Sequence, residues 1–301
     1  MKRFLAIGEC MVEMAPAPGG LFRMGYAGDT FNTAWYARRL LPADWEVGYA
    51  SAVGDDAISA EMLAFMTREG LETGSVRRLQ GRTVGLYMIT LDAGERSFAY
   101  WRGEAAARAL ADDPAWLEQV LAGRDILFFS GITLAILPQA GRERLCQALA
   151  KARAGGTEVA FDTNLRPRLW RDAAEMRAGL SLGASVASIV LPSFDEEEGL
   201  FGDGSPEATA ARYAELGARI VAVKNGSGPL TLRVGDAMQR FAPEPVTEVV
   251  DSTAAGDSFD AAFLAALATD TSLEEAVHRA MALAARVIGE PGALAPRLFE
   301  R

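Results

Sequence analysis

The chain is poor in the residues from which many active sites are built. It has two cysteines and one histidine in 301 residues. Cys10 and Cys146 stand far apart without metal-ligand spacing, which argues against a disulfide framework and a cysteine-rich zinc site and fits a reducing cytoplasm. The lone histidine, His278, cannot furnish both a triad and a metal cluster. It lies in a helical run with Leu273, Val277, Ala280 and Met281, where it reads as a packed or solvated helix residue. No apolar stretch approaches the ~18 residues of a membrane span, because Glu9 and Glu13 interrupt the run that follows Lys2 and Arg3. Positive charge is scarce as well: the net charge is −10, so bulk attraction to nucleic acid or an anionic membrane is not expected and any phosphate must be held locally. Neither G-x-x-x-x-G-K-[ST] nor a G-x-G-x-x-G after a strand occurs, which argues against P-loop and dinucleotide-binding chemistry.

What is present is ordinary globular material, 50% hydrophobic and 23% charged. Strand-like runs at 4–8, 47–53, 126–130, 158–162, 189–192 and 219–224 alternate with helical ones at 28–41, 58–69, 142–154 and a pair around 196–216. Two short strands and helices from Ala254 and Ser272 follow. This order predicts an α/β fold, a doubly wound and mostly parallel sheet flanked by helices, in one domain over residues 1–301. In the first helix Ala34, Ala37, Leu40 and Leu41 are expected to face inward. Residues 83–91 and 96–102 break the rhythm: they form a hairpin about Asp92-Ala93-Gly94-Glu95. Its first strand is apolar on both faces, with Val84, Leu86 and Met88 on one and Tyr87, Ile89 and Leu91 on the other. Residues 82–104, with 9–26 and its Pro/Gly-rich excursion Ala15 to Gly20, are therefore expected to form a β lid whose outer face makes a homo-oligomer, a dimer or higher; the competing reading is an edge hairpin folded onto the core.

The stretch with the most chemistry is Asp251-Ser252-Thr253-Ala254-Ala255-Gly256-Asp257-Ser258-Phe259. Apolar residues at 259, 262, 263, 266 and 267 give one helical face, with Ser252 or Thr253 as N-cap and a helix beginning near Ala254. Its first N–H groups lack intrahelical partners, and Ala254, Ala255 and Gly256 leave them accessible to an anion. Asp257 sits in that turn, placed to take a proton from a hydroxyl while the N–H groups hold a phosphoryl group. A dipole-favoured acid in a closely packed turn is the bland alternative.

These residues resemble the D-T-x-x-A/G-G-D signature of the ribokinase-like, or PfkB, carbohydrate kinases. Gly28-Asp29-Thr30-Phe31-Asn32 is similar to the family's amino-terminal signature, with Ala27 replacing the first glycine. The stretches Gly8 to Glu13, Tyr100 to Ala107, Ser130 to Leu137 and Asp162 to Trp170 extend the resemblance over the whole chain, toward the branch of the family that phosphorylates 2-keto-3-deoxygluconate. The resemblance implies ATP and Mg²⁺ as cofactors, with a monovalent cation such as K⁺ left open. It implies Asp257 as base, Ala254, Ala255 and Gly256 as the anion hole, and Gly28, Asp29, Asn32 and Ile132 on the substrate side. Asn164, Ser193, Lys224, Gly226, Ser227 and Gly228 would meet the nucleotide. Ser193-Phe194-Asp195-Glu196 stands where the family has N-x-x-E, leaving Glu196 to arrange Mg²⁺ indirectly, and Pro229 replaces a usual glycine after the nucleotide loop.

The acceptor is read from cations and aromatics. Arg102 and Arg166 are candidates to converge on a substrate carboxylate, for which a guanidinium fork is suited; each has the alternative of a structural ion pair, and Arg166 that of a phosphate contact. Tyr87 and Tyr100 either direct hydroxyls to the sugar or pack. The expected activity is transfer of the ATP γ-phosphoryl group to the terminal hydroxyl of a sugar acid. The rivals are a fructokinase or other neutral-sugar kinase, a non-catalytic ligand-binding homologue, and, against the missing glycine motif, a dinucleotide-dependent oxidoreductase.

Overall fold

The structure is a computed structural model that describes residues 1–92, 95–246 and 248–300. The strands in chain order are β1 (Lys2–Ile7), β2 (Met11–Ala17), β3 (Leu21–Ala27), β4 (Trp45–Val53), β5 (Val76–Arg78), β6 (Leu86–Asp92) and β7 (Glu95–Trp101), then β8 (Ile126–Ser130), β9 (Glu158–Asp162), β10 (Ile189–Val190), β11 (Ile220–Val223), β12 (Leu230–Val234) and β13 (Ala237–Phe241). Nine of them form one sheet in the order β13-β12-β11-β10-β9-β8-β1-β4-β5, and β3-β2-β6-β7 form a second. In the large sheet β11, β10, β9, β8, β1, β4 and β5 run parallel, and β12 and β13 add an antiparallel edge. The central strands are buried on both faces, as in Phe4 to Ile7 and Ile126 to Ser130, because helices cover each side.

The excursion at Ala15 to Gly20 is a hairpin. β2 pairs with β3 through Ala17↔Leu21, and Gly19 and Gly20, at φ of +78° and +75°, make the connection that a side chain would strain. β2 also runs parallel to β6 from Val12↔Leu86 to Met14↔Met88, which merges the two hairpins into the small sheet. Of the two apolar faces of β6, Tyr87 and Ile89 are buried against Met11, Ala27 and Ala293, while Leu86 and Met88 on the other are half-buried. The turn residues Ala93 and Gly94 lie outside the described residues.

Two expectations need correcting. The helix of the signature stretch runs from Ala255 to Ala268, and its N-cap is neither Ser252 nor Thr253 but Ala254, in the left-handed region (φ 61°) with no side-chain cap. The reason is that the mouth of this helix stays open while the loop before it is tied down elsewhere, as described below. In helix Asp29–Leu40, Leu40 turns to solvent and Leu41, just past the helix, takes the buried place. Helix Ala255–Ala268 packs between helices Asp29–Leu40 and Leu273–Val287, and every residue from Ser258 to Ala266 is buried.

Close approaches fix where the loops at the carboxyl ends of the strands sit. A Cβ on Gly131, directly after β8, would stand 1.9 Å from the Thr163 carbonyl oxygen, so β8 and β9 can release their loops side by side only with glycine there. Gly131→Ala is expected to destabilise the protein by about 2–3 kcal/mol, the cost of an unrelieved overpacking. Gly141→Ala, inside helix Gln139–Ala154 with only ordinary contacts near its Cβ, should be neutral or slightly stabilising. Urea midpoints of the two variants check the contrast.

Candidate active site

The carboxyl ends of the parallel strands bring the candidate residues to one edge. Glu9 follows β1, Ile132 follows β8, Asp162 to Arg166 end and follow β9, Ser193 follows β10, and Lys224 follows β11. Ser193 and Lys224 are joined by a backbone bridge. This edge is where open α/β sheets bind ligands, since the loops there diverge and leave a crevice.

Above the edge lies the helix mouth. The first intrahelical bond runs from the Ser258 N–H to the Ala254 carbonyl at 2.9 Å, and the Ala255 N–H turns back to Ser252 O at 3.3 Å. The N–H groups of Gly256 and Asp257 precede that first bond and so have no partner within the helix. The preceding loop is fixed by Asp251, which is buried and accepts from the N–H of Thr253 at 3.0 Å and of Gly292 at 2.6 Å.

Asp257 accepts a hydrogen bond from Asn32 Nδ2 at 2.8 Å, and the Thr33 hydroxyl donates to its carbonyl at 3.3 Å. Asn32 Oδ1 in turn accepts the Gly28 N–H at 3.4 Å, and Asn164 Nδ2 donates to Asp29 at 3.0 Å. Gly28, Asp29, Asn32 and Asp257 thus share a single site, and Asn164, expected with the nucleotide candidates, is bonded to Asp29 within it. Asn164 holds φ +31°, which an asparagine tolerates better than most residues. Gly28 is required by contact: its Cβ would meet the Glu9 carbonyl oxygen at 2.2 Å.

The charge in this site is mostly negative. Burial, then the neighbouring Asp29 and Asp162 charges, push the Asp257 carboxyl up to about 8, against the pull of the Asn32 amide and of Lys224. Burial also raises Asp29. Lys224 is held between Asp162 and Asp260, its Nζ 3.1 Å from each, and these partners keep it well above the usual lysine range despite its burial.

The two arginines each have a carboxylate of their own. Arg102, at the end of β7, bonds through Nη2 to buried Glu9, while its Nε and the Glu9 Oε1 have no partner within the chain. Burial raises the Glu9 carboxyl and Arg102 opposes that. Arg166 Nη1 bonds to Glu196 Oε1 at 2.7 Å, and Glu196 Oε2 accepts the Leu165 N–H at 2.9 Å. Tyr87 donates to Glu13, and its ring lies 5.9 Å from that of half-exposed Tyr100, itself 5.9 Å from the Arg102 guanidinium. Ile132 is half-buried against the core. Gly226 takes φ +52°, and the Gly228 N–H closes a turn onto Asn225 O at 2.7 Å, so Lys224 to Gly228 is a tight loop with exposed Gly226 and Ser227 at its tip.

Glu9, Asp162 and Asp260 received no role from the sequence. The first two lie inside stretches that carried the family resemblance. Asp260 had its own signal: a carboxylate three residues after Asp257, in the most apolar part of a buried helix, must have a charged partner.

Comparison with known proteins gives the family and the fold. The model of the pfkB family of carbohydrate kinases matches residues 1–298. The chain is 39% identical to the 2-dehydro-3-deoxygluconokinase of Dickeya dadantii, over 98% of this chain and 97% of that one. It is 38% identical to the enzyme of the same name from Escherichia coli K12, over 98% of both. Among solved structures, a protein provisionally described as ribokinase II from E. coli, in complex with ATP and Mg²⁺, superposes with a TM-score of 0.84 at 24% identity, covering 97% of this chain and 94% of that one. With its helix-mouth aspartate, its Gly28-to-Asn32 partner and the match over nearly its full length, the chain belongs to the pfkB family of carbohydrate kinases.

Proposed function

We propose that the protein transfers the γ-phosphoryl group of ATP to the terminal, C6, hydroxyl of 2-keto-3-deoxygluconate, giving 2-keto-3-deoxy-6-phosphogluconate and ADP. The observation that carries the reading is Asp257, half-buried at an open helix mouth and oriented by Asn32, in a chain 38–39% identical to 2-dehydro-3-deoxygluconokinases. A hydroxyl placed against its carboxylate passes its proton to Asp257 as the oxygen attacks phosphorus. In the turn Ala254 to Asp257, where the Ala255 N–H is taken by Ser252 O, the N–H groups of Gly256 and Asp257 receive the equatorial oxygens, and a fixed dipole stabilises developing charge without reorganising.

Gly28, Asp29 and Asn32 hold the sugar hydroxyls, with Ile132, Tyr87 and Tyr100 around the chain. Arg102 meets the carboxylate: Glu9 takes one of its donors, and the buried, unpartnered Nε is left for a second acceptor. Arg166 stands between the two ligands. On the nucleotide side are Asn164, Ser193 and the loop of Lys224, Gly226, Ser227 and Gly228. The cation of the proposed reaction is one that arrives with the triphosphate. Glu196, already bonded to Arg166 and the Leu165 N–H, would act on Mg²⁺ through its waters; bound Mg²⁺ supplies charge neutralisation at the phosphates. A monovalent cation such as K⁺ is a further requirement to be tested with the same assay.

The small sheet, with residues 9–26 and 82–104, serves as the lid. It leaves Leu21, Phe22, Met24 and Trp101 exposed by 41–68%, an apolar surface that a second copy would cover. A neutral-sugar kinase is the alternative within the family, and a panel of fructose, ribose and 2-keto-3-deoxygluconate in a coupled ADP assay separates the two.

Five outcomes are expected. Asp257→Ala and Asp257→Asn should lower kcat by roughly 10²–10⁴-fold, the usual worth of a general base; near-normal turnover of either ends the mechanism. Since the base must be unprotonated, kcat/KM should rise with pH and level off above about 8. The same raised carboxyl means that the folded state binds more protons than the unfolded one between pH 4 and 8, so stability should fall across that window in the parent and less so in Asp257→Asn, read from thermal melts. Arg102→Ala should weaken binding of the acid by about 2–5 kcal/mol and narrow its advantage over neutral sugars. In size exclusion at micromolar concentration the mass should be that of a dimer or larger; a monomer removes the role given to the exposed lid surface.

A further inference from the structure

The charged and titratable groups that face Asp257 come from four elements. Helix Asp29–Leu40 contributes Asp29 and, more distantly, Tyr36; β9 contributes Asp162; β11 is followed by Lys224; and Asp260 lies one turn along its own helix. The charges of Asp29 and Asp162, with that of Asp260 on the same helix, therefore bear on Asp257, and the Lys224 ammonium opposes them. A carboxylate in such company is held protonated unless a cation offsets its neighbours, because like charges within a few ångströms raise its pKa.

The position of that ammonium is set from both sides. Asp162 belongs to the sheet and Asp260 to the helix, and Lys224 bridges them with two bonds of 3.1 Å. Its side chain is 13% exposed and theirs 6% and 0%, so the clamp is shielded from screening by solvent. A Cβ on Gly256 would lie 3.6 Å from Lys224 Nζ. The ammonium therefore abuts the backbone of the residue immediately before Asp257.

We propose that Lys224, clamped between Asp162 and Asp260, is a positioning residue for Asp257: its ammonium offsets the carboxylates around the base and fixes the helix mouth against the ends of β9 and β11. The proposal rests on the reading of Asp257 as the base. It gives Lys224 a task distinct from contact with the nucleotide, since the lysine acts through the base even before ATP is bound. Asp162 and Asp260 have the task of keeping the ammonium in place, which explains a buried carboxylate in the apolar part of the helix.

The test has two readouts. The pH dependence of kcat/KM for the sugar acid is recorded at saturating ATP for the parent, Lys224→Met and Lys224→Arg. Asp257 itself is titrated without substrate by carboxyl ¹³C NMR, its resonance identified by its loss in Asp257→Asn. Lys224→Met should move both midpoints up by about one pH unit or more, leaving roughly tenfold less free base at a given pH below them. Lys224→Arg, which keeps the charge, should bring them back toward the parent. An Asp257 midpoint unchanged in Lys224→Met, or one shifted as far by arginine as by methionine, overturns the proposal. If Lys224→Met does not fold, Lys224→Gln keeps a donor for the two aspartates without the charge and should show the same upward shift; a parent-like midpoint there counts equally against the idea. Loss of the base reading is distinguished by Asp257→Ala: retained turnover in that variant removes the base, whereas an unshifted midpoint in an enzyme that needs Asp257 removes only the role of Lys224.

Discussion

The structure depends on placing the open end of a buried helix among carboxylates. The N–H groups of Gly256 and Asp257 favour negative charge, while the desolvated Asp29, Asp162 and Asp257 repel one another. Such an arrangement relaxes unless its parts are held. The helix cannot slide, because Ser258 to Ala266 are buried on all sides. The loop before it cannot lift, because Asp251 binds the N–H groups of Thr253 and Gly292. Ala254 accepts a left-handed conformation that costs a non-glycine residue about 1–2 kcal/mol. Strain concentrated in one turn, and over-determined by its surroundings, is a pattern found at catalytic sites.

The small sheet is joined to this centre by a contact of another kind. Arg102 comes from β7 and Glu9 from the end of β1, so their ion pair links the two sheets in the interior. Gly85 makes the link possible, since a Cβ there would stand 2.6 Å from Glu9 Oε1 and 3.2 Å from Arg102 Cβ. A buried pair of this sort adds little stability, because its desolvation cost is comparable to its Coulomb gain. What it does supply is direction: the guanidinium is held beside Glu9 with its Nε unpartnered within the chain.

Much of the fold could be read from the sequence because parallel strands buried on both faces give continuous apolar runs, as at Ile126 to Ser130 and Glu158 to Asp162. Residues 9–26 were expected in a β lid, but β2 and β3 were not separable as strands, since Pro16, Pro18 and Gly19-Gly20 erase the alternation that marks a strand, and because β6, which pairs with β2, lies some seventy residues later in the chain. The N-cap was misplaced for a related reason. Ser252 and Thr253 look like caps by composition, but an open helix mouth is one in which no side chain fills that place. Asp257, Asn32 and Asp29 were legible from local signatures, whereas the partners of Arg102, Arg166 and Lys224 were not, since ion pairs across 30 to 93 residues of chain leave no spacing to detect.

That contrast reflects how the two halves of the task are built. Stabilising a transferring phosphoryl group needs consecutive backbone N–H groups and a base within one helical turn, so its residues must be neighbours in sequence, and 251 to 257 read as a unit. Recognising an acceptor needs groups that approach from different directions. In the proposed site they come from the loops after β1, β7 and β9 and from helix Asp29–Leu40, and each is held by a partner of its own. On the proposed reading, a change of acceptor would alter Glu9 and Arg102 as a pair rather than singly, since removing one member strands a buried charge. The phosphoryl-transfer turn, whose donors are backbone groups, would remain unchanged.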